Sequence, residues 1–340
     1  MSSTALPVSE PDPQLIWDTM NAYQRTSALR AAIELDMFTA LGEGAATAEE
    51  IANRCNASAR GTRILCDYLT IIGLLAKAGA RYSLTPTSAA FLDPRSPACM
   101  ASMVTFINAP KLMAGFADLA ATVRRGGTVL QQGGMNEAEL DEWVTFAKSM
   151  MPLMGPASEF IAEEAVRGAA PRRVLDIAAG HGLFGIAVAR RAPEAEIVAL
   201  DWPNVLKVAE EHARSAGVGN RYRSLAGDAF QVEFGSDYDA VLLTNFLHHF
   251  NQEQCETLLR RIHRCLKPGG RLFTLEFVPN EDRVTPPIPA SFSLMMLGAT
   301  ADGDAYTMKQ LDGMMRAAGF GSSELKQVPK SPQQLIVSVK

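Results

Sequence analysis

Acidic side chains follow three successive predicted strands of the sequence, close to the point where each strand ends. Asp176 stands at the end of a first apolar strand, Asp201 at the end of a second, and Asp228 just after a third. The carboxyl ends of parallel strands meet at one edge of a sheet, where such folds bind their ligands. Asp201 can there accept hydrogen bonds from a ribose diol, Trp202 can cover an adenine face, and Asp228 can accept from an adenine amino group. The three acids together predict a site for a ligand that contains a nucleoside.

A glycine-rich turn follows the first of these strands and runs directly into a predicted helix that begins at Leu183. Gly180 and Gly182 would let a ligand approach the backbone closely, because glycine has no Cβ. A dinucleotide site would place G-x-G-x-x-G at this turn, but Ala178 occupies the first glycine position and the spacing does not match. The carboxylate of Asp176 also suits an ammonium group better than a phosphate. We therefore expect a ligand that is cationic at this end.

The C-terminal half of the sequence alternates short apolar runs with amphipathic helical patterns. The apolar runs are residues 174–177, 196–200, 238–243 and 271–275. This alternation is typical of a parallel, doubly wound sheet with helices on both faces. The fold class is therefore predicted as α/β, with a Rossmann-like domain over residues 171–340.

The N-terminal part of the sequence has a helical pattern instead. Apolar residues recur at helical spacing over 15–41 and predict two helices, and Thr47 with Glu50 forms a capping box that starts another. The segment 61–73 is amphipathic, and a turn at Ala78-Gly79 separates two short strand-like runs. Helix, turn, helix and hairpin together predict a winged-helix domain.

A winged helix occurs both in DNA-binding proteins and in the dimerisation modules of enzymes. Arg60 and Arg63 would start its recognition helix, which then becomes apolar. A formal net charge of −5 and an isoelectric point near 5.7 argue against a surface that neutralises a phosphate backbone. We therefore interpret residues 1–99 as a dimerisation domain and expect no nucleic-acid partner.

The composition of the 340-residue chain limits the remaining possibilities. No apolar run reaches membrane-spanning length, and the first fourteen residues lack the basic start and apolar centre of a secretory signal. We therefore expect a cytoplasmic protein with no membrane partner. The five cysteines are scattered without a C-x-x-C pair, so we expect no metal site.

Large, soft side chains are concentrated in the predicted helices of residues 100–170 and in one later helix of the α/β domain. Such side chains either pack as core or line a pocket for an aromatic ligand, and the pattern leaves both interpretations open. If the pocket interpretation holds, residues 100–170 are a connector that contributes to it. The candidate pocket residues are Phe106, Trp143, Met150, Met154, Phe292, Met295 and Met296.

Five segments of the sequence resemble motifs of a known enzyme family. They are VLDIAAGHG, VALDWP, AGDAF, NFLHHFNQEQC, and the LKPGG turn that precedes TLEF. With these motifs the α/β domain resembles a class I S-adenosylmethionine (SAM)-dependent methyltransferase. Together with the N-terminal domain it resembles the plant-type small-molecule O-methyltransferases and their bacterial relatives, the acetylserotonin and caffeate methyltransferase group. The resemblance extends from about Leu15 to the final strands.

The resemblance implies a cofactor, a partner and a substrate class. The cofactor is SAM, which leaves as S-adenosylhomocysteine, the partner is a second copy bound through the N-terminal domain, and the acceptor is a hydroxyl of an aromatic or polyketide-like small molecule. Combined with the strand-end acids, it gives the cofactor-binding residues Asp176, Gly180, Gly182, Asp201, Trp202, Asp228, Ala229, Phe230 and Asn245.

The catalytic residues also follow from the resemblance. The family's general base corresponds to His248, and the first of the two carboxylates that flank this base corresponds to Glu276. A base histidine needs such a partner, because a bond to one ring nitrogen fixes which nitrogen carries the proton. His249 falls where plant members often have Asp, and we assign it to the substrate pocket.

One departure from the family pattern keeps other functions open. Met308 replaces the family's second Glu, and Asp302 or Asp304 are candidates to compensate for it. C- or N-methylation on the same scaffold would depend less on the histidine and its carboxylate. A SAM-binding homologue without methyl transfer, or a winged-helix regulator, is the third alternative, which the intact His248 and strand-end acids disfavour.

Overall fold

The computed structural model describes residues 12–340, apart from the side chain of Gln132, and these residues form two units. The first unit extends to Val104, and the second from Thr105 to Lys340. Our expectation about the absence of a secretory signal concerns residues that lie mostly outside the described part of the chain. The division of the chain at residues 99 and 170 stays an interpretation.

The first unit consists of helices with a small antiparallel sheet, which has the strand order β1-β3-β2. Its helices are α1 (Gln14–Met20), α2 (Ala22–Glu34), α3 (Met37–Gly42), α4 (Ala48–Arg54), α5 (Ala59–Ile71), α6 (Pro86–Phe91) and the start of α7 (Ala101–Ile107). Its strands are β1 (Ala46–Thr47), β2 (Leu75–Ala78) and β3 (Arg81–Leu84).

The N-terminal helical segment differs from the sequence-based prediction in one respect. Three helices occupy the region for which two were predicted, because the chain leaves the helical conformation at Asn21 and again at Leu35 and Asp36. Asp36 has a φ of 53°, in the left-handed region that no right-handed helix includes. The predicted capping box of Thr47 and Glu50 is present at the start of α4.

The second unit contains the large sheet and the remaining helices. Its further helices are α8 (Pro110–Ala114), α9 (Leu119–Arg125), α10 (Asp141–Ser149), α11 (Met151–Val166), α12 (Leu183–Arg191), α13 (Pro203–Ser215), α14 (Gln252–Cys265), α15 (Pro287–Ala299) and α16 (Met308–Ala317). Its strands are β4 (Arg173–Ile177), β5 (Glu196–Asp201), β6 (Tyr222–Ala226), β7 (Tyr238–Thr244), β8 (Leu266–Glu276), β9 (Ser322–Gln327) and β10 (Gln334–Val339).

The seven strands are ordered β6-β5-β4-β7-β8-β10-β9. Neighbouring strands from β6 to β8 are parallel, whereas β10 is antiparallel to both β8 and β9. The strand order reverses direction between β4 and β7, and ligands of open α/β sheets bind beside such a reversal. The α/β fold class predicted from the sequence is confirmed.

The core of the second unit lies where amphipathic helices cover this sheet. On α14, apolar side chains at helical spacing are fully buried, including Leu258, Leu259 and Ile262. They pack with Val241 and Leu243 of β7, a strand whose continuous apolar run is typical of a sheet that is covered on both faces. Within residues 12–340, none of the helices has the length and apolar character needed to cross a membrane.

Candidate active site

A cavity of about 650 Å³ lies in the second unit, at the carboxyl ends of β4, β5 and β7. All of the predicted cofactor and pocket residues line it except Asp176 and Gly182. The catalytic candidate His248 also lines it, and Glu276 lies behind His248. The structure therefore brings together residues that span more than half of the sequence.

The glycine-rich turn forms the floor of this cavity. Ala178, Gly180 and Gly182 all have positive φ angles, of 55°, 56° and 76°. Gly182 is required beneath the turn, because a Cβ there would lie 2.8 Å from the hydroxyl oxygen of Tyr222. Gly180 lines the cavity, and its N–H donates to Asp201 Oδ2 at 2.8 Å.

Asp176 has a different position from the one we predicted. Its side chain is fully buried away from the cavity lining, and its Oδ2 accepts a hydrogen bond from the Gly185 N–H at 3.0 Å. Burial raises its pKa to about 7, and the nearby Asp201 adds to this effect. Direct contact of Asp176 with a ligand ammonium group is therefore not supported. Asp176 instead joins the end of β4 to α12 beneath the turn.

The other two strand-end acids lie in the cavity wall. Asp201 accepts from Gly180 through Oδ2 and from the Trp202 N–H through Oδ1, at 2.7 Å, and burial raises its pKa to about 6. Asp228 accepts from the Phe230 N–H at 2.8 Å and from the side-chain amide of Gln231 at 3.0 Å. Each carboxylate oxygen has a further lone pair that can accept from a ligand.

Asn245 follows β7 with a left-handed φ of 55°. Its backbone N–H donates to the Leu275 carbonyl at 2.9 Å, and its side-chain amide donates to Met154 Sδ at 3.5 Å. Its side-chain oxygen accepts from the buried Gln333. These contacts fix the start of the turn that carries His248.

Glu276, at the end of β8, holds this turn and the imidazole of His248 together. Its Oε2 lies 2.5 Å from His248 Nδ1, and its Oε1 accepts from the N–H groups of Phe246 and Leu247 at 3.0 and 2.9 Å. Both side chains are buried. Because the carboxylate accepts, Nδ1 carries the proton and Nε2 of His248 is left with a lone pair.

Aromatic rings surround His248. The ring of His249 lies 4.4 Å from it and the ring of Phe292 lies 4.9 Å from it, measured between centroids. His249 also contacts Trp143 edge to face at 5.3 Å. Burial lowers the pKa of His249 well below its usual value, and the neighbouring His248 lowers it further. His249 is therefore a neutral member of the cavity wall.

None of the positions considered for the family's second carboxylate places an acid in the cavity lining. Met308 is the first residue of α16 and packs against the core on the sheet, outside the cavity lining. Asp304 forms an ion pair with Arg283, and Asp302 is exposed to solvent. Neither Asp302 nor Asp304, the two candidates to compensate for Met308, lines the cavity.

The apolar walls include residues that the sequence analysis did not select. Phe146 lies three residues after Trp143 on α10, and its ring contacts those of Trp143 and Phe106 edge to face. That helical spacing was a usable signal. Phe246 and Phe250 flank the two histidines in sequence, and His181 lies between the two glycines of the turn.

No Lys or Arg is among the residues that line the cavity in the described part of the chain. The lining does include three carboxylates, Glu137, Asp201 and Asp228. Glu137 forms an ion pair with Lys111, whereas the hydrogen-bond donors of the other two are neutral groups. The cavity therefore favours a ligand with positive charge.

A doubly wound parallel sheet with a glycine-rich turn and acids at its strand ends is typical of an enzyme that binds a nucleotide cofactor. Residues 116–321 match the family model of the O-methyltransferase domain, and residues 17–94 match that of the O-methyltransferase dimerisation domain. The chain belongs to the O-methyltransferase family. It is a SAM-dependent methyltransferase that acts on small molecules, and the expected cofactor is confirmed.

Similar proteins come from bacteria and mammals. A 3-hydroxy-5-methyl-1-naphthoate 3-O-methyltransferase of Streptomyces sahachiroi is 28% identical over 94% of this chain and 92% of its own. The acetylserotonin O-methyltransferase of Rattus norvegicus is 26% identical over 96% of this chain and 77% of its own. A crystal structure of a candidate O-methyltransferase from Nostoc punctiforme is 47% identical, covers 97% of this chain and 100% of its own, and has a TM-score of 0.95.

Proposed function

We propose that this enzyme methylates a hydroxyl of an aromatic or polyketide-like small molecule, with His248 as the general base. The observation that carries the proposal is the bond between Glu276 and His248 Nδ1 at the cavity wall. It leaves Nε2 as a proton acceptor whose orientation is fixed. A methyl transfer to carbon or to a neutral amine has less need for such a base.

The cavity has groups that fit each part of SAM. Asp201 would accept hydrogen bonds from the ribose, and Asp228, with Ala229 and Phe230, would flank the adenine. Both carboxylates lie in the cavity wall with lone pairs to spare, which supports this placement. The amino-acid end of SAM would lie against the turn at Gly180. The excess of carboxylates in the lining suits the positive charge of the sulfonium group.

Bound SAM supplies an electrophilic methyl group, so the protein must align the acceptor and remove its proton. A phenol of pKa about 10 and an imidazole of pKa about 6.5 differ by roughly 3.5 units, which would cost about 5 kcal/mol if the proton moved first. We infer that His248 takes the proton as the methyl group is transferred, which avoids this cost. Glu276 then stabilises the imidazolium.

The walls of the cavity support an aromatic acceptor. Phe292 stacks on Phe277 at 4.2 Å and meets the His248 ring edge to face, so a flat ring can lie beside the base. The names of two relatives support such an acceptor: the Streptomyces sahachiroi enzyme is named for an aromatic hydroxynaphthoate, and a Streptomyces glaucescens enzyme is named as an 8-O-methyltransferase of tetracenomycin polyketide synthesis. Another relative is named as an N,N-dimethyltransferase, which keeps N-methylation as the second candidate.

We further propose a cytoplasmic homodimer that forms through the N-terminal winged-helix domain. The match of residues 17–94 to a dimerisation domain supports the dimer. The order of α4, α5 and the β2-β3 hairpin supports the winged-helix interpretation.

Replacement of the base tests the proposed chemistry. His248→Gln is expected to lower turnover of a phenolic acceptor by roughly a hundredfold or more, which is the usual contribution of a positioned base, with SAM affinity nearly unchanged. His263→Gln is the matched control, because His263 packs on Phe320 and lies outside the cavity lining. Full activity of His248→Gln would contradict the proposal and favour N- or C-methylation.

A further inference from the structure

One ring nitrogen of His181 forms a hydrogen bond within the described part of the chain, and the other does not. The residue lies between the two glycines of the turn, and its side chain is 2% exposed. Nδ1 accepts a hydrogen bond from the N–H of Leu183 at 3.1 Å, at the start of α12. Nε2 is buried and has no hydrogen-bond partner among the described residues.

The protonation state of this imidazole follows from its surroundings. Burial lowers the pKa of His181 to about 3, and the nearby His212 contributes to this effect, so the ring is neutral at physiological pH. Because Nδ1 accepts, the single ring proton is on Nε2. The turn therefore contains a buried N–H donor without an acceptor, which is unfavourable unless a ligand supplies one.

The ring is held in place by its neighbours. Phe146 stacks on it almost in parallel, with 6.2 Å between centroids and 15° between planes, and Phe184 contacts it at 5.6 Å. Phe146 also lies over the glycine turn, where a Cβ on Gly180 would be 3.6 Å from its ring. His181 is thus fixed in position, and it is one of the lining residues at the end of the cavity where the turn lies.

The charges of the cavity indicate which hydrogen-bond acceptor the Nε2–H of His181 would meet. SAM has a carboxylate at its amino-acid end, and no Lys or Arg among the described lining residues can pair with it. The carboxylate must then be bound by neutral hydrogen-bond donors. We propose that the His181 Nε2–H donates a hydrogen bond to this carboxylate, an inference that rests on the cofactor placement proposed above. The amino end of α12 adds favourable partial charge beside it.

Two substitutions separate the two nitrogens of the ring. His181→Asn retains a side-chain acceptor near the position of Nδ1, so it can still bond to Leu183, but it lacks a donor at Nε2. His181→Gln places an amide donor near Nε2. Binding of S-adenosylhomocysteine, and of its decarboxylated analogue with a 3-aminopropylthio side chain, is measured by calorimetry for both variants and for the unmodified protein.

The inference predicts that the loss of binding affinity in the His181→Asn variant depends on the ligand. His181→Asn should weaken S-adenosylhomocysteine binding by roughly 10- to 150-fold, as expected for a hydrogen bond to a charged group, and should leave the decarboxylated analogue within about twofold. His181→Gln should recover much of the affinity for S-adenosylhomocysteine. Equal losses for both ligands, or no loss for either, would overturn the assignment of His181.

Asp201→Ala shows whether a negative result for His181 arises because the proposed cofactor placement is wrong. It should weaken both ligands to a similar extent, because both contain the ribose. If Asp201→Ala weakens both ligands and His181→Asn does not distinguish them, only the role of His181 is overturned. If Asp201→Ala weakens neither ligand, the proposed cofactor placement is wrong, and the inference about His181 is overturned with it.

Discussion

At the scale of single residues, the turn that carries the base is built around one carboxylate. Glu276 binds two backbone N–H groups of the turn through one oxygen and His248 through the other. Formation of the turn and orientation of the imidazole therefore depend on the same side chain. Gly303 passes so close that a Cβ there would lie 2.2 Å from the His248 carbonyl oxygen. The segment at Gly303 therefore contacts the turn through its backbone. Met308 packs in the core instead.

We therefore predict that His248 and Glu276 act as one catalytic unit. Glu276→Gln should slow turnover nearly as much as His248→Gln, because an amide cannot stabilise the imidazolium as a carboxylate does. The double variant should be little worse than either single variant, since residues that act as a unit have non-additive effects. Steady-state rates of the three variants test this, with thermal unfolding as the control for the fold. Fully multiplicative losses would show that the two residues act independently.

The sequence permits prediction of which residue types approach the cavity, but not of where each side chain points. Asp201 and Asp228 lie in the cavity wall, because β5 and β6 end at the same edge of the sheet. Asp176 also stands at a strand end, yet it points beneath the turn to Gly185. The direction of this side chain depends on how α12 packs on β4, and a position at the end of a strand does not reveal that packing. His181 was missed for a similar reason, since a residue between two glycines gives no periodic signal.

At the scale of elements, α15 forms one wall of the cavity, and its inner end is fixed. Met135 N–H donates to the Ala299 carbonyl and Thr128 N–H to the Thr300 carbonyl, both at 2.8 Å. Gly115 permits an equally close approach, since a Cβ there would lie 2.3 Å from the Gly298 carbonyl oxygen. The outer end is open, with Ile288 62% exposed although it also lines the cavity. The rim at Ile288 can therefore be altered without disturbing the packed end.

This wall, together with the absence of Lys and Arg from the cavity lining within residues 12–340, leads to a prediction about the methyl acceptor. A carboxylate on the acceptor would lose water without gaining a positive partner, which costs several kcal/mol. For a hydroxynaphthoate and its methyl ester, we expect kcat/KM to be at least about a hundredfold higher for the ester. Measured initial rates for the matched pair of acceptors test this. Equal values for acid and ester would contradict the prediction.

Two substitutions that each add a positive charge to α15 test whether this preference arises in the cavity. Ile288→Arg adds a cation at the cavity rim and should reduce the preference for the ester. Leu294→Arg is the matched variant, because Leu294 is 47% exposed on the same helix but does not line the cavity, and it should leave the preference unchanged. A similar change in both variants would assign the effect to overall charge and not to the cavity.

The elements themselves were largely predictable, for physical reasons that differ between regions. Four of the seven strands of the large sheet, β4, β5, β7 and β8, contain the continuous apolar runs that were predicted, whereas β6 and β9 are largely polar and exposed. In the N-terminal region, helical periodicity continues across Asn21 and Asp36, where the helices end. Apolar spacing reports which face is buried but not where a backbone leaves the helical conformation, and Asp36 reaches its left-handed φ without a glycine to mark it.

At the scale of the whole molecule, the beginning of the described chain has apolar surface without a cover in its own unit. No residue of α1 is buried, and Leu15, Ile16 and Trp17 are 58% to 71% exposed. Met20 and Tyr23 continue this surface towards α2, with exposed fractions of 54% and 67%. A concentration of exposed apolar side chains of this kind is typical of an interaction surface. The match to the dimerisation domain begins at residue 17, within this patch.

We therefore predict that α1 contributes to the interface of a homodimer. Light scattering at micromolar concentration should give about twice the chain mass of 36.6 kDa. The double variant Trp17→Glu with Met20→Glu should shift the protein towards the monomer, because the interface would have to bury unpaired carboxylates. Val284→Glu is the control, since Val284 is 68% exposed in the second unit, outside the matched dimerisation domain. A monomeric mass for the unmodified protein, or an unchanged dimer in the double variant, would show that α1 is not part of such an interface.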